Sequence, residues 1–245
     1  MDSSACSNSI SSSLADGNSG TGSEMSGSNG EGSERDVCQI DCCDQEDDTR
    51  PPYVRVMPED RRYGVVVTND EDPCDCDFNC FLIFLVERFE QSDEVGSLAF
   101  SECTSIEPFG CNLLIVCRDD CTKDWIIRET RTVCPPFKCT TFIRHFELVR
   151  VSFVIPMVVH KRLCRIFNIF ERQNAGLGTG KWCVVGNSEL DPDSEDYHSK
   201  VVYEGAQNIE ITCYIDEDSA EYIKKRCSMI RFLVWHLFVD FCPKK

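Results

Sequence analysis

Val149-Arg150-Val151-Ser152-Phe153-Val154-Ile155, then Pro156, then Met157 to Arg172, is the stretch whose reading decides the fold. The first seven residues are rich in β-branched and aromatic types, and a proline follows them, so they read as a strand ending at Pro156. Beyond it Val159, Leu163, Ile166 and Phe170 recur at helical spacing and predict an amphipathic helix over 157–172. Trp182-Cys183-Val184-Val185 and Ile209 to Tyr214 read as two more strands, with a polar, acidic insertion over 187–207 between them. Asp218-Ser219-Ala220-Glu221 has the form of a capping box with Asp218 as the cap. The helix it opens carries Ala220, Ile223, Cys227 and Ile230 on one face, and Phe232 to Val239 supplies a last strand. The order is β-α-β-β-α-β.

Upstream the same order occurs. Tyr63 to Thr68 is a β-rich run, and Cys80 to Phe89 reads as a helix that is apolar almost all round. Leu98-Ala99-Phe100 and Asn112 to Cys117 are strand candidates. Thr122 is placed to cap a short helix through Trp125-Ile126-Ile127, Pro135-Pro136 stops it, and Phe137 to Ile143 is the last strand candidate. A local echo supports a repeat: Ile115-Val116-Cys117 precedes Trp125-Ile126 much as Ile211-Thr212-Cys213 precedes Tyr222-Ile223. The predicted class is α+β: two tandem ferredoxin-like halves (βαββαβ, similar in order to RNA-recognition modules) over 53–145 and 146–245. Each has an antiparallel sheet with helices on one face. Trp125 and Trp182 are expected as core anchors.

Residues 1–52 form the remaining segment. Its first fifty residues hold eleven Asp or Glu against two Arg, and Ser, Gly and Asn dominate the first thirty-three. Such a segment buries too little apolar surface to offset its ordering entropy, so a disordered acidic arm is expected. The whole chain has a formal net charge of −17, which disfavours broad binding to phosphate backbones. The eighteen cysteines do not point to a disulfide framework. The polar start Met1-Asp2-Ser3-Ser4 lacks a secretory pattern, and cysteines such as Cys164 and Cys183 stand within apolar runs, where they read as small buried hydrophobes. Reduced thiols and an intracellular location, cytoplasm or nucleus, are expected. No apolar run reaches the length of a membrane span, so no membrane partner is expected.

Chemical motifs are weak. Gly176-Leu177-Gly178-Thr179-Gly180-Lys181 has the flavour of a phosphate loop. However, Ala175 stands where the first glycine belongs, Trp182 stands where Ser or Thr belongs, and the segment runs from helix into strand. It reads as a flexible helix exit. Cys74-Asp75-Cys76-Asp77-Phe78-Asn79-Cys80 is too tightly spaced for the common zinc knuckle, and no matching pair is evident. His145, His160, His198 and His236 fall into no catalytic order. No catalytic residue, cofactor or metal site is expected. One basic region exists: between Arg144 and Arg172 six Lys or Arg face two acidic residues. Arg144, Arg150, Lys161, Arg162 and Arg165 are the candidate contacts to RNA or a partner.

Phe170-Glu171-Arg172-Gln173-Asn174-Ala175-Gly176-Leu177-Gly178-Thr179-Gly180-Lys181-Trp182 resembles the helix, Gln-Asn, Gly-Leu, Thr and Trp pattern of an insect-enriched family, the domain-of-unknown-function 4780 type. That family is common in fly genomes and in transposon-associated proteins. Ile215-Asp216-Glu217-Asp218-Ser219 is similar to its Ile-Asp-x-x-Ser turn, and Trp125 matches a Trp often seen in the first half. The resemblance runs from about Tyr63 to Phe241, and the acidic insertion before Val201 departs from the usual shorter link. It implies no catalytic activity. The expectation is a non-enzymatic protein-protein interaction adaptor, set by fold analogy in an RNA-regulating complex. Direct, non-canonical RNA binding through the Arg144–Arg172 region is the alternative; the usual aromatic signature on the central strands is missing.

Overall fold

Val65, Val66 and Val67 are all fully buried, so the first strand meets a hydrophobic layer on each of its faces. The computed structural model describes residues 50–101, 106–131, 136–158 and 162–241. The expectation of a disordered arm falls almost wholly outside these residues, as do Val159, Lys161 and Pro135.

Short 3-10 turns at Pro52–Arg55 and Arg61–Tyr63 lead into β1 (Gly64–Asn69) and α1 (Asn79–Gln91). Then follow β2 (Glu107–Phe109), β3 (Asn112–Val116), α2 (Asp120–Arg131), β4 (Phe137–Thr141) and α3 (Phe142–His145). The chain continues through β5 (Val149–Met157), α4 (Leu163–Gln173), β6 (Cys183–Glu189), α5 (Tyr197–Lys200) and β7 (Gln207–Ile215). It ends with α6 (Glu217–Lys224), β8 (Met229–Phe232) and β9 (Trp235–Phe241). The architecture is mixed, with a four-stranded sheet ordered β2-β3-β1-β4 and a five-stranded sheet ordered β6-β7-β5-β9-β8. The strand pairs are antiparallel.

Three apolar cores follow from strand alternation. Val65, Val67, Leu113 and Ile115 face Phe81 and Leu85 of α1 and Trp125 and Ile126 of α2. Val151, Phe153 and Ile155 of β5 face Leu163, Ile166, Phe167 and Phe170 of α4 and Ala220 and Ile223 of α6. The third core joins the two sheets. Val66, Leu114 and Val116, on the other face of the first sheet, pack with Tyr53, Phe142 and Leu148, and with Cys183 of β6 and Tyr214 of β7. Segment 52–56 and α3 thus cover the face of the first sheet that its helices leave open.

Several boundaries differ from the sequence reading, each for a local reason. Pro156 does not end β5; it pairs with Asn208, and α4 begins only at Leu163. Pairing between β5 and β9 is confined to Val151–Phe153, so a missing N–H at Pro156 breaks no second ladder. Leu98–Phe100 is not a strand and contributes a single bridge, Phe100 to Cys117. The edge strand is Glu107–Phe109, which Pro108 disguises and which an edge position tolerates. Thr122 does not cap α2: its N–H donates to the Asp119 carboxylate, and its hydroxyl accepts from Ala99 N–H. Asp216, not Asp218, caps α6, accepting from Ser219 N–H at 3.0 Å. That helix stops at Lys224, Cys227 and Ser228 take positive φ, and Ile230 belongs to β8. The last strand is a hairpin turning at Leu233 and Val234. α1 is buried on one side only, with Phe81 and Leu85 inside while Ile83 and Val86 are exposed.

Candidate functional site

The basic candidates are dispersed rather than gathered. Arg144 is exposed on α3 and Arg150 is exposed at the start of β5. Arg150 alternates with core-facing Val151, so it lies on the sheet face away from α4. Arg162 precedes α4 and Arg165 lies in its first turn; both are exposed. α4 follows the far end of β5, roughly 23 Å along the strand from Arg150 at about 3.3 Å per residue. The structure therefore does not bring Arg150 onto one surface with Arg162 and Arg165. Lys161 lies outside the described residues.

The signature segment is fastened throughout, and the flexible exit expected of it is not what the structure holds. At its start, Gln173 and Asn174 grip the backbone of the β8–β9 hairpin. Gln173 accepts from Leu233 N–H at 2.6 Å and donates to Leu233 O at 3.2 Å. Asn174 accepts from Arg231 N–H and donates to Arg231 O, each at 2.9 Å. Glu171 Oε1 accepts from both the N–H and the hydroxyl of Thr179 at 2.7 Å. Trp182 is fully buried between Phe153, Phe167 and Phe170, and its Nε1 donates to Ser219 Oγ at 3.1 Å. Ser219 Oγ lies 2.9 Å from both Gly178 O and Asp216 Oδ2. Gln173, Asn174, Glu171 and Ser219 of the two signature pieces are thus engaged in holding the local backbone. Trp125 is likewise buried in the first core, edge-on to Phe89.

Sequence reading missed the residue that closes this hub. Arg61 is buried and donates to four carbonyls: Val54 and Val56 at 3.0 Å, Thr179 at 3.1 Å and Trp182 at 2.7 Å. Burial lowers its pKa to about 10, with Cys183 and Glu59 among the groups that oppose the fall. It stays charged at neutral pH. Pro58 O also accepts from Val184 N–H at 2.9 Å, so segment 52–62 is strapped to β6. Nothing in the run Asp60-Arg61-Arg62 distinguishes one arginine as internal; the signal lies only in partners 118 and 121 residues away.

The second feature is an exposed sheet face. The five-stranded sheet turns Leu237 and Val239 into its core and Phe238 outward, 61% exposed. Phe238 pairs directly with Met229, also exposed. The register joining Phe153 to Val239 brings Val154 into the same row. At the other edge of this face, Tyr214 and Cys183 are covered by the third core. Among the described residues, the large exposed apolar side chains of this face, Phe238 and Met229, lie at the β9–β8 edge, and Val234 follows at the turn with 83% exposure.

Titratable chemistry is sparse. Burial pushes the Cys117 and Cys183 thiols up to about 12, so neither is a ready nucleophile. The same cause lowers His145, which packs edge-on against Phe109 and Phe146. His236 is exposed on β9. Cys164 is only half-buried, against the expectation for apolar runs. Among the described residues no group of three or more His, Cys, Asp and Glu is arranged to hold a metal ion, and no helix is long and apolar enough to cross a membrane.

No curated protein matches the chain at a significant level. One family model does, over residues 55–240, a span that takes in Arg61, the Gln173–Trp182 segment, Asp216–Ser219 and both sheets. That is most of the chain, and the protein belongs to the family described as Domain of unknown function (DUF4780).

Proposed function

We propose that this chain is a non-enzymatic, intracellular protein-protein interaction adaptor built from two ferredoxin-like units, working within an RNA-regulating complex. The strand order β2-β3-β1-β4, with α1 after β1 and α2 after β3, supports the first unit. The order β6-β7-β5-β9, with α4 and α6 in the corresponding places and β8 added at the edge, supports the second. The buried free thiols of Cys117, Cys183 and Cys213 fit a reducing compartment. The RNA setting rests on analogy of strand order alone.

The observation that carries the adaptor reading is the contrast between the two sheets. The first sheet's outer face is covered by the chain's own Tyr53 and Phe142. The second sheet keeps Phe238, Met229 and Val234 in water. An apolar row rimmed by Arg231, Asp240 and Glu210 suits an apolar segment of a partner protein with polar flanks. The test is affinity purification from native tissue, with and without nuclease, using the wild type and Phe238→Asp/Met229→Asp. Partners that resist nuclease and are lost from a normally folded variant support the reading. Partners that the variant keeps, or that nuclease removes entirely, overturn it. The second reading, direct RNA contact, draws on the exposure of Arg144, Arg150, Arg162 and Arg165.

A further inference from the structure

Cys76 and Cys111 are 35 residues apart in sequence, yet their sulfurs stand 2.8 Å from each other. Cys76 lies in the loop between β1 and α1; Cys111 lies in the turn between β2 and β3. The same corner holds the Cys74 carbonyl, 3.0 Å from Cys111 Sγ, and the Gly110 carbonyl, 3.5 Å from Cys76 Sγ. Two backbone devices set this meeting. The β2–β3 turn places Gly110 at φ 58, a conformation that favours glycine and presents Cys111 immediately after it. The β1–α1 loop is a series of side-chain turns. Asn69 accepts from Glu71 and Asp72 N–H, Asp72 from Cys74 N–H, Asp75 from Asp77 N–H and Asp77 from Asn79 N–H. Cys76 is thereby held at a fixed place within an exposed loop.

We propose that Cys76 and Cys111 are a reversible disulfide site, closed by a peroxide and opened by a cellular thiol. The more exposed sulfur, Cys76, attacks a peroxide oxygen; the O–O bond breaks, the sulfur becomes a sulfenic acid and water leaves. The Cys111 sulfur then attacks Cys76 sulfur. The S–S bond forms, the S–O bond breaks, and the hydroxide departs with the Cys111 proton as a second water. Two thiols are oxidised and one peroxide is reduced. The Cys111 thiol is pushed up to about 11, first by its hydrogen bond with Cys76, so it keeps its proton while that bond stands and is not the sulfur that meets the peroxide first. Closure shortens the sulfur–sulfur distance from 2.8 Å to about 2.05 Å. Closure ties the loop ahead of α1 to the edge hairpin of the four-stranded sheet. Both thiols are reachable: Cys76 is exposed and Cys111 half-buried. Cys117, Cys183 and Cys213, buried in the cores, are not.

The experiment uses the full chain, reduced, desalted and treated with one equivalent of hydrogen peroxide. Thiols are then alkylated and the protein is digested without reductant for mass spectrometry. The expected product is a peptide pair joining Cys76 to Cys111, short of two hydrogens and separated again by dithiothreitol. In Cys111→Ser a sulfenic acid at Cys76 should accumulate and be trapped by dimedone. In Cys76→Ser no cross-link should form at Cys111. The proposal is overturned if the pair stays fully alkylatable while other thiols oxidise, or if Cys76 joins a different cysteine. It is also overturned if the reduced protein binds stoichiometric zinc that protects both thiols.

Discussion

Trp182 Nε1 donates to Ser219 Oγ at 3.1 Å across 37 residues of chain. The bond joins the end of the α4–β6 segment to the first turn of α6, so the two stretches that carry the family resemblance meet at one buried point. The serine hydroxyl also lies 2.9 Å from Gly178 O, which closes the turn from below. The hub orients α6 and the β8–β9 hairpin against α4, and with them the exposed row at Phe238 and Met229.

Replacing Trp182 with Ala removes the largest group of that core and should cost about 3–5 kcal/mol. Trp182→Phe keeps ring packing but leaves Ser219 without its donor, and should cost about 1–2 kcal/mol. Urea denaturation of both variants checks the ordering. A normally stable Trp182→Ala that loses only a partner would instead make the residue an interface contact.

Arg61 is the second joint. Its planar fork reaches four carbonyls that a lysine ammonium cannot span together. Arg61→Lys should therefore destabilise the protein by about 3 kcal/mol or more, since several buried carbonyls lose their donors. The measurement is a denaturant midpoint at constant slope. A shift no larger than that of a surface Arg→Lys control would remove Arg61 from this role.

Glu59 supplies a pH-dependent term. Its Oε2 is buried without a hydrogen-bond partner, and burial raises its pKa from 4.5 despite Arg61 and Arg62 nearby. A carboxyl with a raised folded pKa binds its proton more tightly when folded. Its contribution is favourable at low pH and is lost as pH rises through the raised value. Glu59→Gln, which cannot ionise, should therefore gain stability over the wild type at pH 7. The gain should vanish as pH falls to about 4, and melting temperatures of the pair across that range test the sign.

How much of this was legible beforehand depended on the range of the interactions. Val151, Phe153, Leu163, Ile166 and Phe170 carry their burial in their spacing, so β5, α4 and their shared core could be read directly. β2 could not, because Pro108 breaks its pattern and only pairing with Leu113 makes it a strand. The caps went wrong by two or three residues at Thr122 and Asp218, since several neighbouring side chains have capping chemistry and tertiary contacts choose among them. Arg61 and Cys111 were invisible. Their partners lie far along the chain, and a lone arginine or cysteine has no periodicity to betray it. Conversely, the basic region looked like one patch in sequence only because alternation and helix phase place Arg150 and Arg165 on different surfaces.

That separation sharpens the RNA test. Arg162 and Arg165, with Lys161 next to them in sequence, concentrate positive charge at the start of α4. Arg144 and Arg150 belong to another part of the surface. Attraction of an acidic chain to single-stranded RNA requires local density, so binding by the second reading should run through the α4 end. Three phosphate contacts give a salt slope of about −2 on logarithmic axes for single strands. Lys161→Glu/Arg162→Glu/Arg165→Glu should abolish binding at low salt, while Arg144→Glu/Arg150→Glu should leave most of it. Deleting residues 1–50, which carry eleven acidic side chains, should tighten it by removing competing charge. Titrations at low and high salt with all four proteins distinguish the readings. Binding that survives the triple reversal would move the contact elsewhere. No binding by any of them at low salt would eliminate direct RNA recognition and leave the proposed adaptor reading standing alone.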